Sequence, residues 1–354
     1  MRKIHTKIQK SEKGQVVKPG GNHQDRPAGR IPRTAAVILL SVILLLSAGC
    51  SSDIPIVSSV ATASYVFAVG GEQCSVEEAK MILLQYQKEY ATLYGVNLWD
   101  HDYGEEESLE NYVKDLTVSQ LAEVYTLDVI AAEQEVALSE GEKDEAAAAA
   151  RDYIDSLSEA ELDYLGADES TAESLFERYL LAQKLYASLT ENVSQEVSDD
   201  EAHVMEMEQI CVSDAETAAE VLAKLDEGSD FSSLAESYNE SETTSIQVSR
   251  TTYSEEVTEI LFALDTGMYS DVIEIDGSYY LFYCTNYFNE ELTDANKEKV
   301  VSQRMEEAVT STYNTYKDQL DSTLNEAVWD EVTVDTTLEL TGASFEEIFE
   351  EYFG

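Results

Sequence analysis

The hydrophobic pattern of this chain changes twice along its length. Between about Leu109 and Tyr186, apolar residues recur at helical spacing, and the run from Glu142 to Ala150 consists mostly of strong helix formers. Residues 203–288 contain alternating runs that are typical of strands. A helical pattern returns from Asp294 to about Val328. The order predicts an α+β chain with a mixed module between two helical regions.

The mixed module has a specific predicted element order. The alternating run VMEMEQICV predicts its first strand, and Asp276-Gly277 between two apolar runs predicts a hairpin. We predict β-α-α-loop-α-β-β, made of strand 204–212, helices 213–228 and 230–238, polar stretch 239–254, helix 255–264, and strands 270–275 and 279–284.

Short signals mark further elements outside the module. Capping-box pairs predict helix starts at Ser75 with Glu78, Ser158 with Glu161, and Ser170 with Glu173. Residues 65–69 are predicted to form a strand, and residues 331–335 a short strand-like return. For the acidic tail 341–354, the sequence leaves an amphipathic turn and disorder as alternatives.

The N-terminus has the parts of an export signal. Residues 1–33 hold nine Lys and Arg, and an apolar run of 16 residues follows from Thr34 to Gly49. A membrane-spanning helix needs about 20 residues, so this run is short for one. A positive head, a short apolar core and a small-residue exit are typical of a signal peptide. The alternative is an uncleaved signal anchor.

The exit of this run, Leu44-Leu-Leu-Ser-Ala-Gly-Cys50, resembles the lipobox of bacterial lipoproteins. The resemblance implies a signal peptide over residues 1–49, a lipid on Cys50, and a tether over residues 50–64. It also implies a protein anchored to the cell membrane on its extracytoplasmic face.

The charge of the chain excludes one class of partner. Residues 1–33 hold nine of the 22 Lys and Arg and two of the 71 Asp and Glu, so the remainder carries 13 basic and 69 acidic side chains, a net charge of −56. This charge argues against nucleic-acid binding. A solvated surface is one explanation, and attraction to cationic clients or Ca²⁺ is the other. The acidic runs lack the loop spacing of a dedicated calcium site.

The cysteine and histidine counts exclude much active-site chemistry. After Cys50 the chain has only Cys74, Cys211 and Cys284, and its only histidines after residue 50 are His101 and His203. The sequence has no CxxC pair, no G-x-G-x-x-G and no P-loop. We therefore predict no metal and no cofactor. We expect Cys74 to be buried and His203 to be exposed.

The mixed module resembles a parvulin-type peptidyl-prolyl isomerase domain. The segments DFSSLAESY and LFALDTGMYSDV carry most of this likeness, and VMEMEQICV adds to it. The flanking helical regions, beginning FAVGGEQCSVEEAKMIL, resemble the chaperone domain of PrsA-like and SurA-like foldases. The resemblance implies that residues 65–200 and 289–340 form one chaperone domain, into which a parvulin-like domain, residues 201–288, is inserted, with the acidic tail following.

The resemblance also implies a site, in which this chain departs from the family. Gln209 and Tyr280 stand where parvulins have histidines, and Ser241 stands at a position that is usually Asp or Cys. These three are the candidate catalytic residues. The implied substrate-binding residues are Tyr253, Val257 and Phe262. The usual Gly-Gly-Asp-Leu-Gly-like stretch is absent, and the smaller Val257 should weaken proline binding.

The resemblance implies a membrane-tethered foldase that binds unfolded or partly folded exported polypeptides. Prolyl isomerisation breaks no bond and lowers a barrier of about 20 kcal/mol, so hydrogen bonds and an apolar pocket suffice for it. An active isomerase and an inactive client-binding lipoprotein are the alternatives, and a homodimer stays open. In this fold the strands of Cys211 and Cys284 should be neighbours, which leaves a disulfide as the alternative to two free thiols.

Overall fold

The computed structural model describes residues 64–94, 99 and 108–354. Cys50, His101 and the predicted signal peptide lie outside the described residues, as does the tether up to its last residue. The helices are α1 (Val76–Tyr94), α2 (Leu109–Glu133), α3 (Glu140–Ser156), α4 (Glu159–Leu165), α5 (Glu169–Thr190), α6 (Ala215–Asp226), α7 (Phe231–Tyr238), α8 (Glu255–Phe262), α9 (Glu290–Lys317), α10 (Glu326–Trp329) and α11 (Phe345–Phe353). The strands are β1 (Tyr65–Val69), β2 (Glu72–Ser75), β3 (Met205–Val212), β4 (Ser245–Val248), β5 (Ile273–Ile275), β6 (Ser278–Asn286) and β7 (Ser322–Leu324). The α+β class is confirmed.

Two of the three predicted capping boxes start helices as expected. The Ser75 hydroxyl accepts from the Glu78 amide at 3.1 Å, and Ser158 caps α4 in the same way. The third prediction is wrong, because α5 begins two residues earlier, where the Asp168 carboxylate accepts from the Thr171 amide at 2.9 Å. A carboxylate at the N-cap satisfies an otherwise unpaired amide, so Asp168 takes that position.

A three-stranded sheet joins the two ends of the described chain. Its order is β2-β1-β7, and β1 pairs antiparallel with β7 through Phe67 opposite Leu324. The sheet packs on helices from both ends of the chain around one large core, so the N-terminal and C-terminal segments form a single helical domain.

The end of the predicted C-terminal helix and the strand after it were placed wrongly. Helix α9 ends at Lys317, and the next strand is residues 322–324 rather than 331–335. The backbone of residues 331–335 instead forms hydrogen bonds with side chains of α2. Lys114 Nζ donates to the Val332 carbonyl at 2.7 Å, and the Val334 amide donates to Glu110 at 3.0 Å.

The acidic tail contains helix α11, which is part of the core. Ser344 and Glu347 form its capping box, and Phe345, Ile348 and Phe349 are buried. The Phe345 ring stacks on Phe176 at 4.3 Å between centroids. Disorder of this tail, one of the two alternatives from the sequence, is therefore wrong, because aromatic burial stabilises the helix.

The mixed domain is built on a four-stranded sheet with a core on each face. The strand order is β4-β3-β6-β5, and β4 lies in the stretch that was predicted as a loop. Helices α6 and α7 contribute Val221 and Phe231 to one core, while α8 contributes Val257 and Leu261 to the other. The predicted hairpin joins β5 to β6, with Asp276 at φ 50° and Gly277 at φ 81°.

Three consecutive acidic residues connect the two domains. Asp199 pairs with Lys297 of α9 at 2.6 Å, and Asp200 pairs with Arg250 of the mixed domain at 2.5 Å. Glu201 pairs with Arg304 of α9. We call this set the acidic clasp.

The prediction that His203 is exposed is wrong. His203 follows the clasp by two residues, and it is only 4% exposed. The rings of Phe262, Tyr287 and Phe288 surround it at centroid distances of 4.8–5.0 Å. The hydrogen bond between Nε2 and the Tyr287 carbonyl, 2.6 Å, satisfies the buried imidazole.

None of the helices in the described part of the chain is both long enough and apolar enough to span a bilayer.

Candidate functional site

One face of the four-stranded sheet collects the sequence-predicted site residues. In the register of β3 with β6, Gln209 lies opposite Phe282, and Cys211 lies opposite Tyr280. Paired residues on adjacent strands share a face of the sheet, and residues two apart on one strand do so too. These four side chains therefore lie together, with Tyr253 beside them, and we call the set the aromatic face.

Gln209 is held by the loop between α7 and β4. Its residue is 7% exposed, and its side-chain Nε2 donates to Ser241 Oγ at 3.2 Å and to the Thr243 carbonyl at 3.0 Å. The structure thus brings together two of the predicted catalytic residues. Both amide protons point at the loop, so the side-chain oxygen Oε1 is the polar atom of Gln209 that is left for another donor.

Asn239 fixes that loop. Its Oδ1 accepts from the Cys211 amide at 2.9 Å and from the Ser241 hydroxyl at 3.0 Å. Its Nδ2 donates to the carbonyls of Ser241 and Thr243 at 3.0 and 3.3 Å. One side chain therefore ties the loop to β3, and it sets the position of Ser241 relative to Gln209.

Tyr280, Tyr253 and Cys211 form the other half of the aromatic face. A hydrogen bond to Cys211 and, to a smaller extent, burial raise the pKa of Tyr280 to about 12. Burial likewise raises the pKa of Tyr253. The Tyr280 ring is nearly parallel to the Phe282 ring, with centroids 5.7 Å apart, and the Tyr253 ring meets Phe282 edge-on at 5.6 Å. Both phenols are therefore neutral donors at neutral pH.

The three predicted substrate-binding residues belong to one apolar cluster, in which they occupy different places. Tyr253 is on the aromatic face, whereas Val257 is buried in the core beneath α8. Phe262 lies towards the domain junction, where it contacts the ring of His203 and lies under the Arg250 guanidinium at 4.5 Å. Phe282, which sequence reasoning did not select, is fully buried beneath the face, where the half-buried rings of Tyr253 and Tyr280 contact it.

The two strand cysteines are not neighbours, although their strands are. Cys284 lies opposite Met207, four residues along β3 from Cys211. At about 3.3 Å per residue this separates the two by about 13 Å, whereas a disulfide needs Cα atoms within about 7 Å. Both thiols are free, and the disulfide alternative is wrong. The third cysteine, Cys74, is buried as predicted.

The aromatic face offers rings and hydrogen bonds, and no histidine lies on it. Among the described residues, no cluster of three His, Cys, Asp or Glu is placed to hold a metal ion. An apolar ring can pack on aromatic faces. Gln209 Oε1 can accept from a backbone amide, and phenol hydroxyls can donate to a carbonyl. The arrangement therefore suits the binding of an extended polypeptide with a ring such as proline.

Sequence reasoning missed Asn239 and Cys211 as site residues. Cys211 was considered only for a disulfide, although the two-residue period of β3 places it on the same face as Gln209. Asn239 had no signal of its own, because its role depends on the conformation of the loop.

A family model matches the mixed domain. Residues 195–295 match the PPIC-type PPIASE domain. No curated protein matches the chain.

Among solved structures, a peptidylprolyl isomerase (PrsA) from Bacillus anthracis is 19% identical, covering 56% of this chain and 96% of its own, with a TM-score of 0.39. A PrsA from Bacillus cereus is 15% identical, covering 72% and 99%, with a TM-score of 0.37. A SurA-like chaperone of Campylobacter jejuni is 11% identical, covering 73% and 98%, with a TM-score of 0.28. At such low identity and TM-score, these likenesses do not assign a function.

The family match covers β3 to β6, the clasp and the start of α9, and thus the whole aromatic face. The predicted resemblance is therefore confirmed for residues 195–295, which form a parvulin-like domain of the PPIC type.

Proposed function

We propose that this protein is a membrane-tethered, extracytoplasmic foldase that binds unfolded exported polypeptides. Its parvulin-like domain would hold proline-containing segments on the aromatic face. A lipid on Cys50 would keep the protein near the site where such chains emerge. The tether and the location rest on the sequence around Cys50 alone.

The observation that carries the proposal is the composition of the aromatic face. Two half-buried rings, Tyr253 and Tyr280, lie over the buried Phe282 ring and beside the hydrogen-bonded amide of Gln209, inside a domain that matches the PPIC-type model. Aromatic rings bind proline through its apolar ring, and the neighbouring polar atoms orient the backbone.

Isomerase activity is a second candidate function, and the same residues favour it in part. Isomerisation needs stabilisation of a twisted amide rather than a titrating nucleophile, so Gln209 and Tyr280 can contribute hydrogen bonds in place of histidines. Against it stands Val257, which is buried in the core and offers the site no aromatic wall.

Two assays on the full-length chain in detergent micelles distinguish the two functions. Foldase binding predicts that a denatured client aggregates more slowly in the presence of the protein. Isomerase activity predicts faster cis-trans exchange of an X-Pro peptide, lost in both Tyr280→Phe and Gln209→Ala. Slower aggregation without faster exchange would assign client binding alone. The absence of both effects would contradict the proposal.

A further inference from the structure

The charged side chains of the parvulin-like domain are almost all acidic. Residues 203–288 contain 18 Asp and Glu but only two basic residues, Lys224 and Arg250. Both are already engaged. Lys224 pairs with Glu220 on α6 at 2.7 Å, and Arg250 pairs with Asp200 of the clasp while lying over Phe262. Neither cation is thus free to attract an acidic peptide to the aromatic face.

Four exposed carboxylates come from the three segments that border the aromatic face. Glu242 lies between Ser241 and Thr243, the two residues that bind Gln209. Asp276, in the hairpin before β6, acts electrostatically on Tyr280. Glu255 and Glu256 lie in the first turn of α8, which Ser254 separates from Tyr253.

Within the described residues, none of these four carboxylates forms an ion pair. Most other acids of residues 203–288 are likewise without an ion pair, Glu220 being an exception, so the four are distinguished by their position beside the aromatic face. We call the four, Glu242, Glu255, Glu256 and Asp276, the acidic rim.

We propose that the acidic rim makes the aromatic face selective for proline segments that carry a lysine or arginine next to the proline. The inference rests on the proposed function, because it takes the aromatic face as the peptide site. A basic side chain beside the bound proline would reach the rim, while an acidic one would be repelled without any cation to offset it. Unpaired charges around a site also steer oppositely charged ligands towards it.

The expected selectivity is modest and sensitive to salt. Exposed charge pairs contribute little each, so we expect about a threefold difference in affinity for each change of peptide charge. Screening shortens the range of the interaction from about 10 Å at 0.1 M salt to about 3 Å at 1 M. The preference should therefore shrink at high salt, while the contribution from ring packing persists.

The test compares three labelled peptides that differ only before the proline: Ala-Lys-Pro-Phe, Ala-Gln-Pro-Phe and Ala-Glu-Pro-Phe, with neutral ends. Their affinities for the full-length chain in zwitterionic micelles are measured by fluorescence anisotropy. We expect the order Lys, Gln, Glu from tightest to weakest. Equal affinities for the Lys-Pro and Glu-Pro peptides would overturn the inference and leave the proposed function intact, whereas failure of all three to bind would contradict the peptide site itself.

A matched pair of variants locates the effect. The rim variant combines Glu242→Gln, Glu255→Gln, Glu256→Gln and Asp276→Asn. The control combines Glu216→Gln, Glu227→Gln, Glu236→Gln and Glu274→Gln, which are exposed and lie away from the aromatic face, on α6, after it, on α7 and on the opposite side of β5.

The readout is the ratio of the Lys-Pro to the Glu-Pro affinity within each variant, which partial unfolding does not change. We expect the ratio to fall about tenfold towards one in the rim variant and to persist in the control. If the ratio fell as much in the control as in the rim variant, the inference would be overturned, since the overall charge of the domain would then be the cause.

Discussion

Cys211 and Tyr280 lie directly opposite each other on β3 and β6, and their interaction is the largest cause of the raised pKa of Tyr280. Cys211 is partly exposed, whereas Cys74 and Cys284 are buried. The pair lies on the same sheet face as Gln209, so a reagent that reaches Cys211 reports on the candidate site itself.

Asn239→Ala should loosen the loop that holds Gln209. The substitution removes the acceptor of the Cys211 amide and two donors to loop carbonyls. Leaving such groups unpaired costs about 1–3 kcal/mol, so the free energy of unfolding should fall by about that amount. Urea unfolding measures it. The exposed Asn314→Ala is the control, and an equal effect there would contradict the assigned role of Asn239.

Phe349→Ala should destabilise the helical domain through α11. Phe349 is 1% exposed and lies against Phe176 and Tyr179. Truncating a buried Phe to Ala typically costs about 3–5 kcal/mol. Guanidinium unfolding should show this loss, while the exposed Glu351→Ala on the same helix should change stability little. An unchanged unfolding midpoint in Phe349→Ala would show that α11 does not stabilise the domain.

Glu123 should make stability depend on pH. Burial raises the pKa of this carboxyl to about 9, although Lys317 lowers it in part. The folded state therefore keeps a proton that the unfolded state releases above about pH 4.5. Because the unfolded state binds fewer protons in this window, stability falls as pH rises from about 4.5 to about 9.

Glu123→Gln removes this titration. The loss of unfolding free energy between about pH 5 and pH 8 should be smaller in the variant than in the parent chain. Urea unfolding at both pH values measures the difference. The exposed Glu133→Gln on the same helix should keep the parent's pH dependence. A parent-like dependence in Glu123→Gln would refute the assignment.

Neutralising the acidic clasp should free the two domains from each other without unfolding either. The clasp residues Asp199, Asp200 and Glu201 are exposed to 71%, 82% and 42%, so each pair contributes at most about 1 kcal/mol. The triple variant Asp199→Asn, Asp200→Asn, Glu201→Gln should show a larger radius of gyration in small-angle X-ray scattering, at nearly unchanged stability.

The matched control for the clasp is Asp144→Asn, Asp155→Asn, Glu145→Gln, which removes the same charges from exposed positions of α3. Its scattering should equal that of the parent. If the clasp variant also scatters like the parent, the hydrogen bonds between α9 and residues 202–204 hold the domains instead, namely those of Thr293 with the Val204 amide and of Asn296 with the Ala202 carbonyl.

Local signals in the sequence were sufficient for much of the fold. The caps at Ser75 and Ser158, the Asp276-Gly277 hairpin and the alternation of β3 depend on nearby residues, and each is observed. Helix α11 was missed because a nine-residue helix is not stable alone and depends on Phe176 far away in the chain. Burial of His203 likewise depends on aromatic residues more than fifty positions away.

The candidate site was predictable in its strands and less so in its loops. The resemblance selected Gln209 and Tyr280, and strand alternation explains why they share a face. The hydrogen bond from Gln209 to Ser241 depends on the loop conformation that Asn239 imposes, and no local pattern encodes it.

The central claim, that the aromatic face binds proline-containing polypeptide, is tested most directly by alkylation of Cys211. The full-length chain is treated with N-ethylmaleimide at rising concentrations of the Ala-Lys-Pro-Phe peptide, and modification of Cys211 is followed by peptide mass spectrometry. We predict that the rate falls in proportion to the bound fraction measured by anisotropy, and falls less with the matching Lys-Ala peptide. An unchanged rate of Cys211 alkylation when the peptide is saturating would contradict the claim.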